Sequence, residues 1–230
     1  MLDVKMYEER IKSLIQSIYH RRYEESVPLT VAYIYDAHKP IPYDAAVKAH
    51  FKPITINQKW GDVWGSGWFK FSAKIPAHFA GKEVCALIDT DSEGCVFSDG
   101  TPWQGLTHHH NPDAWKWGFI NKRLVPVSKK ARAGEAINLL VETGANRLWG
   151  DENQNEYFLK TAELRVVNRA AWNLYHDVLM LENLQLNLPE QSVRRKRILF
   201  GLAKAAALWN DGLGTTDCQK ICTELLMVPA

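Results

Sequence analysis

The sequence predicts a mainly β fold with α additions: a jelly-roll β-sandwich preceded by an N-terminal helix and followed by a helical tail. Three observations carry this reading. From about residue 53 to residue 168, apolar and polar residues alternate in short runs separated by Gly- and Pro-bearing turns, with no helical period between them. The stretches on either side repeat their apolar residues at helical spacing instead. Finally, WGDVWGSGWFKF, Trp60 to Phe71, places three tryptophans and three glycines in twelve residues before the alternation sets in. Tryptophan at that density marks a packed β-core, a face for stacking sugar rings, or a docking surface. The expected organisation is residues 1–30 for the first helix and its connection, 31–168 for the sandwich, and 169–230 for a helical linker.

Taken in order, Leu2, Val4, Tyr7, Ile11, Leu14, Ile15 and Ile18 form one helical stripe, with Asp3 able to cap its start. The stretch bearing Pro28, Pro40, Pro42 and Pro53 reads as extended connections rather than helix. In GWFKFSAKIP, Phe69, Phe71, Ala73 and Ile75 share one face and Lys70, Ser72 and Lys74 the other, a half-buried strand ended by Pro76. KEVCALID is a further strand, and GCVFSDGTPWQG is a hairpin turning on Asp99 and Gly100. KRLVPV, AINLLVET and YFLKTAELRVV supply the remaining strands. Beyond them, Asn168 caps a helix with Trp172, Tyr175, Val178, Leu179 and Leu186 at apolar positions, and Pro189 lies past its end. SVRRKRILFGLAKAAALWNDG is a second tail helix ending near Asn210, and TTDCQKICTELLMVPA begins a third.

Composition excludes several classes. The formal charge is only +2 and is spread along the chain, apart from the cluster Arg194, Arg195, Lys196 and Arg197. Nucleic acid is therefore not an expected partner, since phosphate binding needs a concentrated basic face. No long uncharged apolar run exists, so no membrane partner is expected either. The four cysteines, Cys85, Cys95, Cys218 and Cys222, form no Cys-x-x-Cys pair, and no Asn-x-Ser/Thr sequon occurs. Reduced thiols in a cytoplasmic protein are the expectation.

No catalytic or metal-ligating residue is assigned. The run His108, His109, His110 and Asn111 lacks the spacing that puts ligands on one side of a strand or helix, so a solvated loop is favoured over a zinc site. DTDSEG, Asp89 to Gly94, matches the first half of a calcium loop, but the twelfth position is Gly100 rather than a bidentate Glu. A charged β-turn is favoured there. No nucleophile elbow, phosphate loop, dinucleotide fingerprint or His-Glu-x-x-His helix is present. Nothing places two carboxyl groups in a shared cleft, as glycoside hydrolysis requires. Most of the tryptophans are expected in packing, with Trp68 leading its strand into the core and Trp60 or Trp64 closing one end of the sandwich. The candidate contact residues, for carbohydrate or for another domain, are Trp103, Gln104, His108, His109, His110 and Trp115.

The order of motifs carries a resemblance. Trp60-Gly61, then Trp68-Phe69, then the strand entry from Pro76 to Val84, then the hairpin from Glu93-Gly94 to Leu106 resemble the N-terminal region of α-mannosidases of glycoside hydrolase family 38, cytosolic and vacuolar branch. ELRVVNRAAWNLYHDV resembles that family's passage from the sandwich into a helical linker. The resemblance covers nearly all of the chain from about residue 50. It implies a sandwich of the galactose-binding-like kind that is an accessory, non-catalytic part of a glycosidase. It also implies that the zinc ligands and the aspartate nucleophile lie in a separate catalytic domain beyond LLMVPA, so this chain holds no cofactor and is inactive alone. The expected partners are that catalytic domain and further copies of the chain. The alternative is a self-contained carbohydrate-binding module, whose partner would be an oligosaccharide.

Overall fold

The computed structural model describes residues 4–108, 121–146, 154–209 and 214–226. In chain order, helix α1 (Val4–Arg21) precedes strands β1 (Tyr23–Pro28) and β2 (Thr30–Asp36), one helical turn α2 (Tyr43–Ala46) and the two-residue β3 (Lys52–Pro53). Strands β4 (Lys59–Asp62), β5 (Ser66–Lys74), β6 (Val84–Asp89), β7 (Glu93–Ser98) and β8 (Thr101–Leu106) follow. The β region closes with β9 (Leu124–Ser128), β10 (Ala136–Gly144), β11 (Glu156–Phe158) and β12 (Thr161–Val167). Helices α3 (Arg169–Leu186), α4 (Val193–Leu208) and α5 (Thr215–Leu226) come last. The chain divides into two compact units, Glu25–Val166, and Met1–Glu24 together with Val167–Ala230.

The first unit is the sandwich. A six-stranded sheet in the order β3-β2-β5-β10-β7-β8 shares one core with a four-stranded sheet in the order β1-β12-β6-β9, and β11 and β4 form a separate ribbon. Strand β5 shows why the sheets pack. Its Phe69 and Phe71 are fully buried, opposite Tyr33 and Val31 of β2 on one side and Val141 and Leu139 of β10 on the other. Ala86 and Ile88 of β6 and Leu164 and Val166 of β12 complete that core from the other sheet. Each such side chain contributes roughly 1.5–3 kcal/mol on leaving water. The hairpin between β7 and β8 turns where expected. Asp99 (φ 48°) and Gly100 (φ 79°) both lie in the left-handed region, as a type I′ turn requires.

Three local departures have physical reasons. The proline-bearing stretch holds the strands β1, β2 and β3, and β2 lies inside the larger sheet because Val31, Tyr33 and Tyr35 alternate towards the core. It also holds the helical turn α2, which Pro42 precedes at the cap position, where a missing N–H costs nothing. YFLKTAELRVV is two strands rather than one, β11 pairing with β4 and β12 with β6. Trp68 is buried, but it does not join the sandwich core. By parity it lies on the opposite face of β5 from Phe69, under Tyr43 and Phe97, with ring centroids 5.9 and 4.9 Å away. Its indole N–H donates to the Ile41 carbonyl at 2.8 Å.

The second unit is helical. Ile11, Leu14 and Ile18 of α1 pack with Leu174 and Val178 of α3, Ile198 and Leu202 of α4, and Cys218, Ile221 and Leu225 of α5. Helix α1 thus shares a core with the tail helices α3, α4 and α5. Asn168 caps α3 as expected, its side chain accepting from the Ala171 N–H at 3.1 Å. Ser192 caps α4 in the same manner. Arg22 lies between the rings of Tyr19 and Tyr175, 3.9 and 4.4 Å from their centroids. No helix among the described residues is long and apolar enough to cross a membrane.

His176 gives this unit a pH dependence. Its ring lies against Trp172, with centroids 4.0 Å apart. Burial, with the charges of Arg22 and Arg169, pushes its pKa from 6.5 down to about 4. The unfolded imidazole thus takes up a proton at higher pH than the folded one. Stability contributed by the neutral ring is complete above 6.5 and is lost as pH falls from 6.5 towards about 4. Urea denaturation at pH 7.5 and pH 4 is expected to differ by about 2 kcal/mol from this group, allowing for its partial exposure. His176→Gln should remove that component, and an unchanged slope in the variant would refute the assignment.

Candidate functional site

The largest concentration of buried polar groups in the sandwich surrounds DTDSEG. Here the chain leaves the smaller sheet at the end of β6 and enters the larger sheet at β7. Asp89, Thr90, Asp91, Ser92 and Thr143 are each at most 3% exposed. Asp89 shapes the turn, its Oδ1 accepting from the Asp91 N–H at 2.9 Å while Asp91 adopts φ 64°. The hydroxyls of Thr90, Ser92 and Thr143 form a closed set at 2.8–3.4 Å, and Thr143 also donates to the Glu93 carbonyl at 2.8 Å. The Trp60 indole N–H donates to the Thr90 carbonyl at 2.8 Å.

Both carboxylates face cationic groups from distant segments. His108 Nδ1 lies 2.8 Å from Asp89 Oδ1 and 2.9 Å from Oδ2, and Arg123 Nη1 lies 3.1 Å from Oδ2. Asp91 Oδ2 accepts from Gln154 Nε2 at 3.0 Å, with Lys160 Nζ at 3.7 Å, and His108 Nε2 stands 3.7 Å from Asp91 Oδ1. Burial alone would push Asp89 up, but the hydrogen bond and charge of His108, the Asp91 N–H and Arg123 bring its carboxyl below the ordinary range. For Asp91 burial prevails over Lys160 and His108, and its carboxyl is raised.

This turn also holds the stems of two connections. Thr107 and Lys122 bond across one pair of stems, and His108 and Arg123 both reach Asp89. Asn146 donates to Glu93 at 2.8 Å, and Gln154 to Asp91, across the other. The charged β-turn expected at Asp89–Gly94 is therefore a clamp, with side-chain cations balancing the acids. Among the described residues, no three His, Cys, Asp or Glu side chains converge in a way that could hold a metal.

The candidate contact residues have different fates. His108 belongs to the clamp. Gln104 donates to the Leu124 carbonyl at 2.6 Å and so ties the edge strand β8 to β9 of the other sheet. Trp103, on β8, is half exposed. His109, His110 and Trp115 lie outside the described residues. Of the opening tryptophans, Trp60 is buried, whereas Trp64 is 70% exposed at φ 67°. Sequence reasoning missed Arg123, Gln154, Thr143 and Lys160, which no local motif marks.

An antiparallel jelly-roll whose two buried acids lie beside Arg123 and Lys160 is a β-sandwich domain. Residues 27–165 match the family model described as "Alpha-mannosidase, jelly roll domain", and the chain belongs to that family. It is 26% identical over 208 residues to Alpha-mannosidase 2C1 of Homo sapiens, across 84% of this chain and 19% of that protein. It is 25% identical over 169 residues to Alpha-mannosidase G of Dictyostelium discoideum, across 70% of this chain and 15% of that protein. The chain thus spans about a fifth or less of the length of these curated relatives. A solved β-glucuronidase from Ruminococcus gnavus, in complex with D-glucuronic acid, superposes at TM-score 0.39 with 10% identity, over 62% of this chain and 29% of that one. The family and the jelly-roll architecture read from the ordered motifs are both borne out.

Proposed function

We propose that this chain is a non-catalytic accessory part of an α-mannosidase, serving stability and contacts with a separate catalytic domain or with further copies of itself. One observation carries the reading. Asp89 and Asp91, the acids brought together at the loop end of the sandwich, are buried and already engaged by Arg123, Lys160 and His108. Glycoside hydrolysis needs two carboxyl groups that face an open cleft and exchange protons with substrate. Zinc and the groups that bind it belong, in this reading, to the catalytic domain. Among the described residues, Cys85, Cys95 and Cys218 form no disulfide, which suits a cytoplasmic setting.

The test is an assay on an aryl α-mannoside with zinc added. Residues 1–230 should show only the background rate, and a longer chain carrying a catalytic domain should hydrolyse it. Turnover by the 230-residue chain alone would refute the proposal.

A further inference from the structure

The outward face of helix α4 combines two features that do not help it fold. The first is its charge. Arg194, Arg195, Lys196 and Arg197 crowd the start of the helix, no acid lies anywhere in Val193–Leu208, and the last turn holds no cation. The N-terminus of a helix is its positive end, so cations there oppose the backbone dipole instead of complementing it. Two of the four bond to neutral acceptors. Arg195 Nη1 donates to the Leu188 carbonyl at 3.4 Å, and Lys196 Nζ to Gln191 Oε1 at 3.3 Å.

The second feature is apolar. Ile198, Leu199, Leu202 and Ala205 are buried in the helical core, while Val193, Arg197, Phe200, Lys204 and Leu208 are exposed. These five follow one another at steps of three or four residues, so they lie in one line on the helix surface. Apolar and cationic side chains alternate turn by turn along that line, over about 22 Å. Val193 is 67% exposed, Phe200 52% and Leu208 50%. A single exposed apolar residue is ordinary, but three in one line form a stripe. Lys204 Nζ lies 5.7 Å from the Phe200 ring, and Arg194 is exposed beside the stripe.

Three kinds of anionic surface neutralise such cations, and the stripe separates them. A phosphate backbone satisfies the charges but leaves Val193, Phe200 and Leu208 against hydrated groups. A bilayer takes up a helix whose cations flank its apolar side. Here Arg197 and Lys204 sit within that side, so inserting Phe200 would carry both charges down with it. An acidic amphipathic helix offers the same alternation with the opposite sign, carboxylates and apolar side chains at steps of three and four. We propose that the outward face of α4 docks an acidic amphipathic helix of a protein partner, with Phe200 as the apolar anchor and Arg194, Arg197 and Lys204 pairing with its carboxylates. The assignment goes beyond the accessory-domain reading and does not depend on it.

Fluorescence anisotropy on the 230-residue chain with labelled synthetic peptides tests this. The probe is a helical peptide as long as α4, with Glu and Leu at amphipathic spacing, and its control is a scramble of the same composition. Saturable binding of the probe is expected, about tenfold tighter than the scramble and weakening as salt is added. Phe200→Ala should weaken it about fivefold, and Arg194→Glu combined with Arg197→Glu about tenfold or more. The reversed pair places acids near the positive end of α4, so the melting temperature should hold or rise while binding is lost. Phe200→Ala, at an exposed position, keeps the test open should that pair unfold. Absence of saturable binding, equal binding of the scramble, or binding unaffected by the variants would overturn the proposal. So would tighter binding to phosphatidylserine vesicles or to duplex DNA, which would mark a lipid or nucleic-acid surface.

Discussion

Trp60→Ala is expected to destabilise the sandwich by about 4–6 kcal/mol. Trp60 is 2% exposed, and its ring lies 5.4 Å from Phe69, 5.9 Å from Tyr157 and 6.1 Å from Tyr35. Truncating a buried aromatic to alanine costs about 3–5 kcal/mol through lost transfer energy and the cavity left behind. The variant also strands the Thr90 carbonyl, which loses the indole N–H, for about 1 kcal/mol more. Domains of this size are stable by only about 5–15 kcal/mol, so the combined loss is a large share. Trp60→Phe separates the two contributions, since it restores most of the ring contact but not the hydrogen bond. Urea denaturation followed by circular dichroism measures both. A loss below about 1.5 kcal/mol for Trp60→Ala would show that the core does not depend on this ring.

Asp89→Ala is expected to cost about 3 kcal/mol, while Asp91→Asn changes stability by less than about 1 kcal/mol in either direction. The contrast follows from the opposite displacement of the two carboxyls. Asp89 is held below its ordinary range, so ionisation favours the folded state. Its removal takes one acceptor from His108, Arg123 and the Asp91 N–H at once. Asp91 is raised by burial, so its charge is a burden that an amide relieves while still accepting from Gln154. The pH dependence carries the same signs. Stability from Asp89 is complete above the ordinary carboxylate value of about 3.9 and is lost as pH falls through its lowered pKa. The raised Asp91 opposes stability above that value, so Asp91→Asn should steepen the remaining acid transition. Equal losses from the two substitutions would contradict the assigned roles.

Much of the architecture was legible because it rests on local physics. The alternation from Phe69 to Ile75, the left-handed pair Asp99 and Gly100, and the Asn168 cap each depend on a handful of adjacent residues. The strands after α1 were less legible, because Pro28, Pro40, Pro42 and Pro53 bracket the short alternation of Val31, Tyr33 and Tyr35. Of the candidate site, the acids of DTDSEG stood out, but their partners did not. His108 and Arg123 lie 19 and 34 residues from Asp89, and no spacing rule connects them.

By itself, the amino-acid sequence determined the element types, their order and the family, since side-chain period, turn chemistry and the succession of motifs are properties of neighbouring residues. Tertiary structure alone decided that α1 packs with the tail helices, that Trp60, Trp64 and Trp68 are respectively core, exposed and sealed on an outer face, and that Asp89 and Asp91 meet Arg123 and Lys160. The reason is that burial and charge compensation depend on which distant strands become neighbours, and long-range pairing is set by the packing of the whole sandwich.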